Sequence, residues 1–176
     1  MHFNPVPRAL LEKAPNLKLI MTCRGGMEHI DLKAASAHNI PVLNVIRNAE
    51  PVADFALGMM LCLTRDIALS HLRMRSGEWC KNYYNSDFLM TLSSHTVALA
   101  GIGNVGAALA RRLLALGVPV IAYDAYTNPE KLAQAGLGAV QLVDSLETLF
   151  ERGDIVSLHL RLTPETEHMI GMPYFS

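Results

Sequence analysis

Residues 97–110 read VALAGIGNVGAALA and set Gly101, Gly103 and Gly106 at G-x-G-x-x-G spacing. The chemistry open to this pattern is the binding of a diphosphate. Gly101 permits a tight turn, Gly103 lets the backbone approach a pyrophosphate, and Gly106 lets a helix pack close to a strand. The free amides of Asn104 and Val105 would then face the phosphates at the positive end of that helix. Asp124 closes the next apolar run, 18 positions after Gly106 (124 − 106). A carboxylate there can accept both hydroxyls of an adenosine ribose. The glycine spacing alone is a weak signal, and a packing turn beside a surface acid is the competing reading. Strand, turn, helix, strand and acid in register favour the nucleotide. No Arg or Lys follows Asp124 until Lys131. A 2′-phosphate would meet an unshielded carboxylate, so NAD is favoured over NADP.

The elements that must position these residues follow from apolar runs and their punctuation. Thr96–Ala100 reads as a buried strand, 104–116 as a helix ended by Gly117, and Val118–Tyr123 as a second strand. Asn128-Pro129-Glu130 starts a short helix that stops at Gly136, and Ala139–Leu142 is a third strand. Asp144-Ser145-Leu146-Glu147 resembles a capping box for a helix through Glu151. Ile155–Leu160 is a fourth strand, and Thr163-Pro164-Glu165 starts one more helix. Upstream, Lys18–Thr22 and the run from Asn39 to Asn44 read as strands around a helix capped by Asp31. Pro51 opens a long helix ending near Ser76-Gly77. On it Phe55, Met59, Leu63 and Ile67 lie four apart, with Val52, Ala56 and Met60 in the neighbouring row. GEWCKNYYNSD reads as an exposed crossing.

Composition narrows the function. Of 176 residues, 51% are hydrophobic and 18% charged, which is globular rather than disordered. A net charge of −1 without a basic tract speaks against nucleic acid as a partner. Cys23, Cys62 and Cys80 are odd in number and scattered, as expected of reduced thiols in a cytoplasmic protein. MHFNPVPRALLEKAP lacks the apolar core of a signal peptide, and the apolar segment 55–63 is interrupted by Thr64, Arg65 and Asp66, so no membrane span is expected. Among the seven histidines, His2, His38 and His95 read as exposed. His29 and His168 fall in turn-like or helix-start contexts, and His71 falls on the long helix, where it reads as a boundary residue between its buried and exposed faces. No metal site is expected.

The segments RGGMEHID, IPVLNVIRNAEPVADFALGMML, GEWCKNYYNSDF, VALAGIGNVGAALARRL and DIVSLHLRLTPETEHMIG, in this order, resemble the D-isomer-specific 2-hydroxyacid dehydrogenases, closest to the D-3-phosphoglycerate dehydrogenase-like group. The resemblance implies an α/β fold. Residues 49–176 would form a Rossmann-type, doubly wound parallel sheet, C-terminally incomplete, led by the long helix. Residues 1–48 would form part of a smaller flavodoxin-like substrate domain. It implies hydride transfer between NAD(H) and a 2-hydroxy or 2-oxo acid. Gly25 and Gly26 match the loop whose amides hold the substrate carboxylate. Asn48 matches an Asn that orients substrate; the plainer reading is a helix N-cap, and the two are compatible. Arg47 could grip a carboxylate or phosphate by its fork, or stand solvated. His159 and Leu160 match the strand-end segment lining the cofactor, where the imidazole is more often structural than catalytic.

In the family the proton donor, its acidic partner and the carbonyl-polarising Arg all match positions beyond Ser176. The chain therefore reads as an internal portion of a longer enzyme. No catalytic residue is expected in it, and it should be inactive on its own. The fourth strand should be an open sheet edge. A non-catalytic NAD-binding module or remnant is the alternative, and a fragment that binds nothing is the plainest one. The family also implies a homodimer through the long helix, against burial of that helix within one subunit.

Overall fold

The computed structural model describes residues 4–23, 25–45, 47–79 and 90–174. Contacts divide the chain into two units: Met1–Asn48 with Arg161–Glu167, and Ala49–Leu160 with His168–Ser176.

In the first unit, β1 (Ile20–Thr22) and β2 (Val42–Asn44) pair in parallel. Helix α1 (Arg8–Glu12) and helix α2 (Leu32–Ala37) supply Leu11, Ala34 and Ala35 to a small core with Ile40, against which Ile20 and Val42 pack. Asp31 caps α2 as its residue type predicts, accepting the Ala34 amide at 2.8 Å. The strands are shorter than the apolar runs because only three residues of each join the ladder.

The second unit carries a four-stranded parallel sheet in the order β5-β4-β3-β6. Its strands are β3 (Val97–Ala100), β4 (Val120–Tyr123), β5 (Gln141–Leu142) and β6 (Ile155–Leu158). This is the order 3-2-1-4 of a doubly wound sheet, so the Rossmann expectation holds. All four residues of β3 are fully buried, which explains its unbroken apolar run: helices cover both faces. Alternate residues serve opposite cores. Val97, Leu99, Val120 and Ala122 join Leu109 and Leu113 of α5 (Asn104–Ala115) and Ala53 and Met60 of α3 (Ala49–Thr64). Ala98, Ala100 and Ile121 meet Leu146 and Leu149 of α7 (Leu146–Arg152). Helix α6 (Pro129–Gln134) starts at its Asn128 cap, and Ser145 rather than Asp144 caps α7 through the Thr148 amide.

Two helical expectations need correction. The long helix from Pro51 to Ser76 is two helices, α3 and α4 (Ile67–Arg75), and it begins at Ala49. Asp66 breaks it, sitting in the left-handed region at φ 52° and ψ 34°, a conformation that short polar side chains tolerate and others resist. The Thr64 hydroxyl also bonds back to the Met60 carbonyl at 2.9 Å. Among the described residues after Thr163 there is no α-helix, only turns over 164–168 and one 3-10 turn, Met172–Tyr174. Thr166 Oγ1 donates to the Arg161 carbonyl at 2.5 Å, and His168 takes φ 58°. His95, expected outside, is buried at 6% exposure. The segment 80–87 of the expected crossing, Cys80 and His2 lie outside the described residues.

The stripe of Phe55, Met59, Leu63 and Ile67 points outward, 49–71% exposed, while Ala53, Met60 and Thr64 face the core. Arg112 of α5 ties α3 down: its guanidinium meets Glu50 and Asp54 at 2.7 Å each. Those carboxylates are two-thirds exposed, so solvent screens the ion pairs and they contribute little. Burial contributes more. Leu109→Ala is therefore expected to lower unfolding free energy by about 2–5 kcal/mol, and Arg112→Met by far less, in urea denaturation followed by circular dichroism.

Candidate functional site

The cradle is built where β3 ends and α5 begins. Gly101 turns at φ 91°, and a Cβ there would stand 2.8 Å from the His159 carbonyl oxygen and 3.1 Å from the Leu160 side chain. Only glycine satisfies both the dihedral and the space. Gly106 lies one helical turn on, and a Cβ on it would overlap the Gly101 carbonyl oxygen. It therefore lets α5 start directly against the turn. Gly103 differs: it is the N-cap of α5, and a Cβ on it would meet nothing within 4 Å. The space beside Gly103 is open.

Asn104 and Val105 begin α5, and no side chain caps it at Gly103. Amides in a first helical turn have no intrahelical carbonyl to bond, so these two carry the partial positive charge of the helix end. The turn is stitched to both neighbouring strands. Gly101 N–H donates to the Tyr123 carbonyl at 2.8 Å, and His159 N–H donates to the Ala100 carbonyl at 2.8 Å.

Asp124 follows β4 and reaches across to the turn. Its Oδ2 accepts the Ile102 amide at 2.9 Å, and its Oδ1 accepts the Tyr126 amide at 2.8 Å. A carboxylate has about four acceptor directions, so two remain for a vicinal diol. The structure thus gathers Gly101, Gly103, Asn104, Val105, Gly106, Asp124, His159 and Leu160 at one strand-end region. Ile102 and Tyr126 were not foreseen as participants. An Asp just past a strand commonly bonds the amide two residues on, which flags Tyr126; nothing local flags Ile102.

His159 is partly buried, and its Nε2 lies 3.0 Å from the Ser157 hydroxyl. Burial holds its pKa below the usual imidazole value. The fold therefore favours the neutral ring beside the glycine turn.

The first unit holds the other four candidates. Gly25 and Gly26 are partly buried in the loop after β1. The Asn44 side-chain amide donates to the Gly25 carbonyl at 2.8 Å, tying that loop to the end of β2. Arg47 and Asn48 are exposed just before α3. Among the described residues no cluster of three His, Cys, Asp or Glu could hold a metal, and no helix is long and apolar enough to cross a membrane.

Residues 57–176 match the family model of the D-isomer specific 2-hydroxyacid dehydrogenase NAD binding domain. This chain belongs to that family. Similar curated relatives of these dehydrogenases include the glyoxylate reductase of Thermococcus litoralis, 38% identical over 94% of this chain and 50% of that protein. Hydroxypyruvate reductase of Thermotoga maritima is 36% identical over 92% and 50%. D-3-phosphoglycerate dehydrogenase of Methanocaldococcus jannaschii is 34% identical over 94% and 31%. The chain thus spans half or less of these relatives' lengths. Among solved structures, D-lactate dehydrogenase from Aquifex aeolicus, complexed with NAD and lactic acid, superimposes with a TM-score of 0.81 at 30% identity, over 96% of this chain and 49% of that one. NAD-dependent formate dehydrogenase from Staphylococcus aureus, in complex with NAD, gives 0.74 at 33%, over 94% and 48%. NAD is the cofactor of the dehydrogenase domain to which residues 57–176 belong.

Gly106→Ala pushes a methyl into the Gly101 carbonyl and is expected to weaken NAD binding about tenfold or more by calorimetric titration, with a stability cost of about 1–3 kcal/mol. His159 gives a pH signature. Its folded pKa lies below its unfolded one, so its share of stability is intact above about pH 6.5 and declines as pH falls through the lower folded value. Urea midpoints measured between pH 7 and 5 should fall more steeply in the wild type than in His159→Gln.

Proposed function

We propose that this chain grips the adenosine diphosphate half of NAD at the Gly101–Gly106 turn, within a protein that moves a hydride between NAD(H) and a 2-hydroxy or 2-oxo acid. The observation that carries the reading is Asp124 bonded to the turn itself at 2.9 Å, beside an open Gly103 and an uncapped helix start. Asn104 and Val105 would donate amide hydrogens to the diphosphate oxygens. Asp124 would accept the ribose hydroxyls with its two remaining lone-pair directions. His159 and Leu160 would wall the cradle on the β6 side. When bound, the nicotinamide supplies the hydride acceptor or donor.

On the first unit, the Gly25 and Gly26 amides would hold a substrate carboxylate. Asn48 would orient the acid, and Arg47 would pair with a carboxylate or phosphate. The relatives' names support small 2-oxo acids as the substrate class. The family's proton donor, acidic partner and Arg match no position in this chain, so the 176-residue polypeptide should bind without turning over. We take it to be a cytoplasmic homodimer. The outward stripe of Phe55, Met59 and Leu63 supports a two-fold contact through α3, because such a continuous apolar face is costly to leave wet.

Calorimetric titration tests the cofactor reading: NAD should bind the polypeptide, and NADP should bind at least about tenfold more weakly because its 2′-phosphate meets Asp124. Absence of NAD binding to folded protein refutes the reading, and turnover of D-2-hydroxy acids refutes the inactivity. For the dimer, sedimentation equilibrium should give twice the chain mass, shifting to the monomer in Phe55→Asp/Leu63→Asp; a monomeric wild type contradicts it.

A further inference from the structure

Asp124 has more bonds than a ribose ligand needs. Its carboxylate takes the Ile102 amide on one oxygen and the Tyr126 amide on the other. Ile102 stands between Gly101 and Gly103 and is 7% exposed. A buried amide left without an acceptor is costly, so the Ile102 peptide plane is held where the carboxylate sits. That plane fixes the chain direction into Gly103 and hence into the first turn of α5. The neighbouring bond, Gly101 N–H to the Tyr123 carbonyl at 2.8 Å, comes from the residue just before Asp124. Two successive residues at the end of β4 therefore hold two successive amides of the turn.

The placement of charge fits the same role. A carboxylate beside a diphosphate site repels its ligand, an expense that ribose binding alone must offset. Here the Asp124 carboxylate accepts from the Ile102 and Tyr126 amides, which are not those at the start of α5. The Asn104 and Val105 amides keep their partial positive charge for the phosphates.

Resting on the cofactor reading above, we infer that Asp124 is a positioning residue as well as a ribose ligand: it sets the diphosphate turn through the Ile102 amide before any nucleotide arrives. The sugar and the diphosphate of one ligand are then coupled through a single carboxylate. Ribose hydroxyls that engage Asp124 hold it on Ile102, and an ordered turn presents Asp124 to the ribose.

The test uses wild type, Asp124→Asn and Asp124→Ala. Asparagine keeps the shape but offers only one acceptor oxygen, so the pair remains informative if the alanine variant folds poorly. Amide hydrogen exchange at Ile102 is measured in the ligand-free chain. Affinity is measured for NAD and for an NAD analogue whose adenosine ribose lacks both hydroxyls. We expect Ile102 to exchange about tenfold faster in the variants, in keeping with the loss of a charge-assisted hydrogen bond. The dideoxy analogue should bind several-fold more weakly to the variants than to wild type, although it has no hydroxyl for Asp124 to hold. A residue that acts only on the hydroxyls would leave Ile102 exchange unchanged, and the analogue would bind equally or more tightly once the repelling charge is gone. Either result overturns the inference. If wild type binds neither nucleotide, the cofactor reading fails, and the Ile102 exchange alone still decides whether Asp124 sets the turn.

Discussion

The bond from the Ile102 amide to the Asp124 carboxylate joins two segments 22 residues apart and ties the glycine turn after β3 to the end of β4. The glycines let the chain turn, but freedom is not order. Gly101 can adopt φ 91° because it has no Cβ; it is held there by Tyr123, Asp124, and the His159–Ala100 hydrogen bond behind it. Sheet order supplies the rest. With β3 flanked by β4 and β6 in parallel, the ends of all three strands arrive at the same edge, and the turn after β3 is gripped from both sides. The proposed site at the strand C-termini is thus the one this sheet topology favours before any side chain is considered.

Burial explains why this scaffold can hold so exact a turn. The β3 strand has no exposed residue, and its alternate side chains lock into opposite cores. Asp154 adds a local fix: its carboxylate accepts the Thr96 amide at 2.7 Å, and its own amide donates to the Thr96 carbonyl at 2.9 Å. The start of β6 is thereby registered on β3, which places His159 behind Gly101. The outer surface of α3 follows another rule. Its inner face sets Ala53 and Met60 in the core shared with α5, with Leu57 and Leu61 packed against it, while Phe55, Met59 and Leu63 point away.

The cradle was legible in the sequence because its signals are local and tied to backbone geometry. Three glycines at fixed spacing, an unbroken apolar strand before them and an acid ending the next strand leave few arrangements open. The caps were legible for the same reason: Asp31, Asn128 and Ser145 each bond the amide three residues on. What sequence could not show is decided by distant partners. The break at Asp66 needs a left-handed residue that no glycine announces. The turns after Thr163 rest on Thr166 reaching the Arg161 and Thr163 carbonyls in place of a helical ladder. His95 is buried by its surroundings, and the Arg112 clamp spans more than 50 residues. Ile102 belongs with these, since an isoleucine contributes only its backbone to the site.

Nuclear magnetic resonance of the amide-labelled chain, titrated with NAD, tests the central claim most directly. The Asn104 and Val105 amide resonances should move furthest, with Ile102 retaining its protection from exchange as the complex forms. Saturation by NAD that leaves Asn104 and Val105 unmoved, with the shifts centred elsewhere in the chain, would contradict the account.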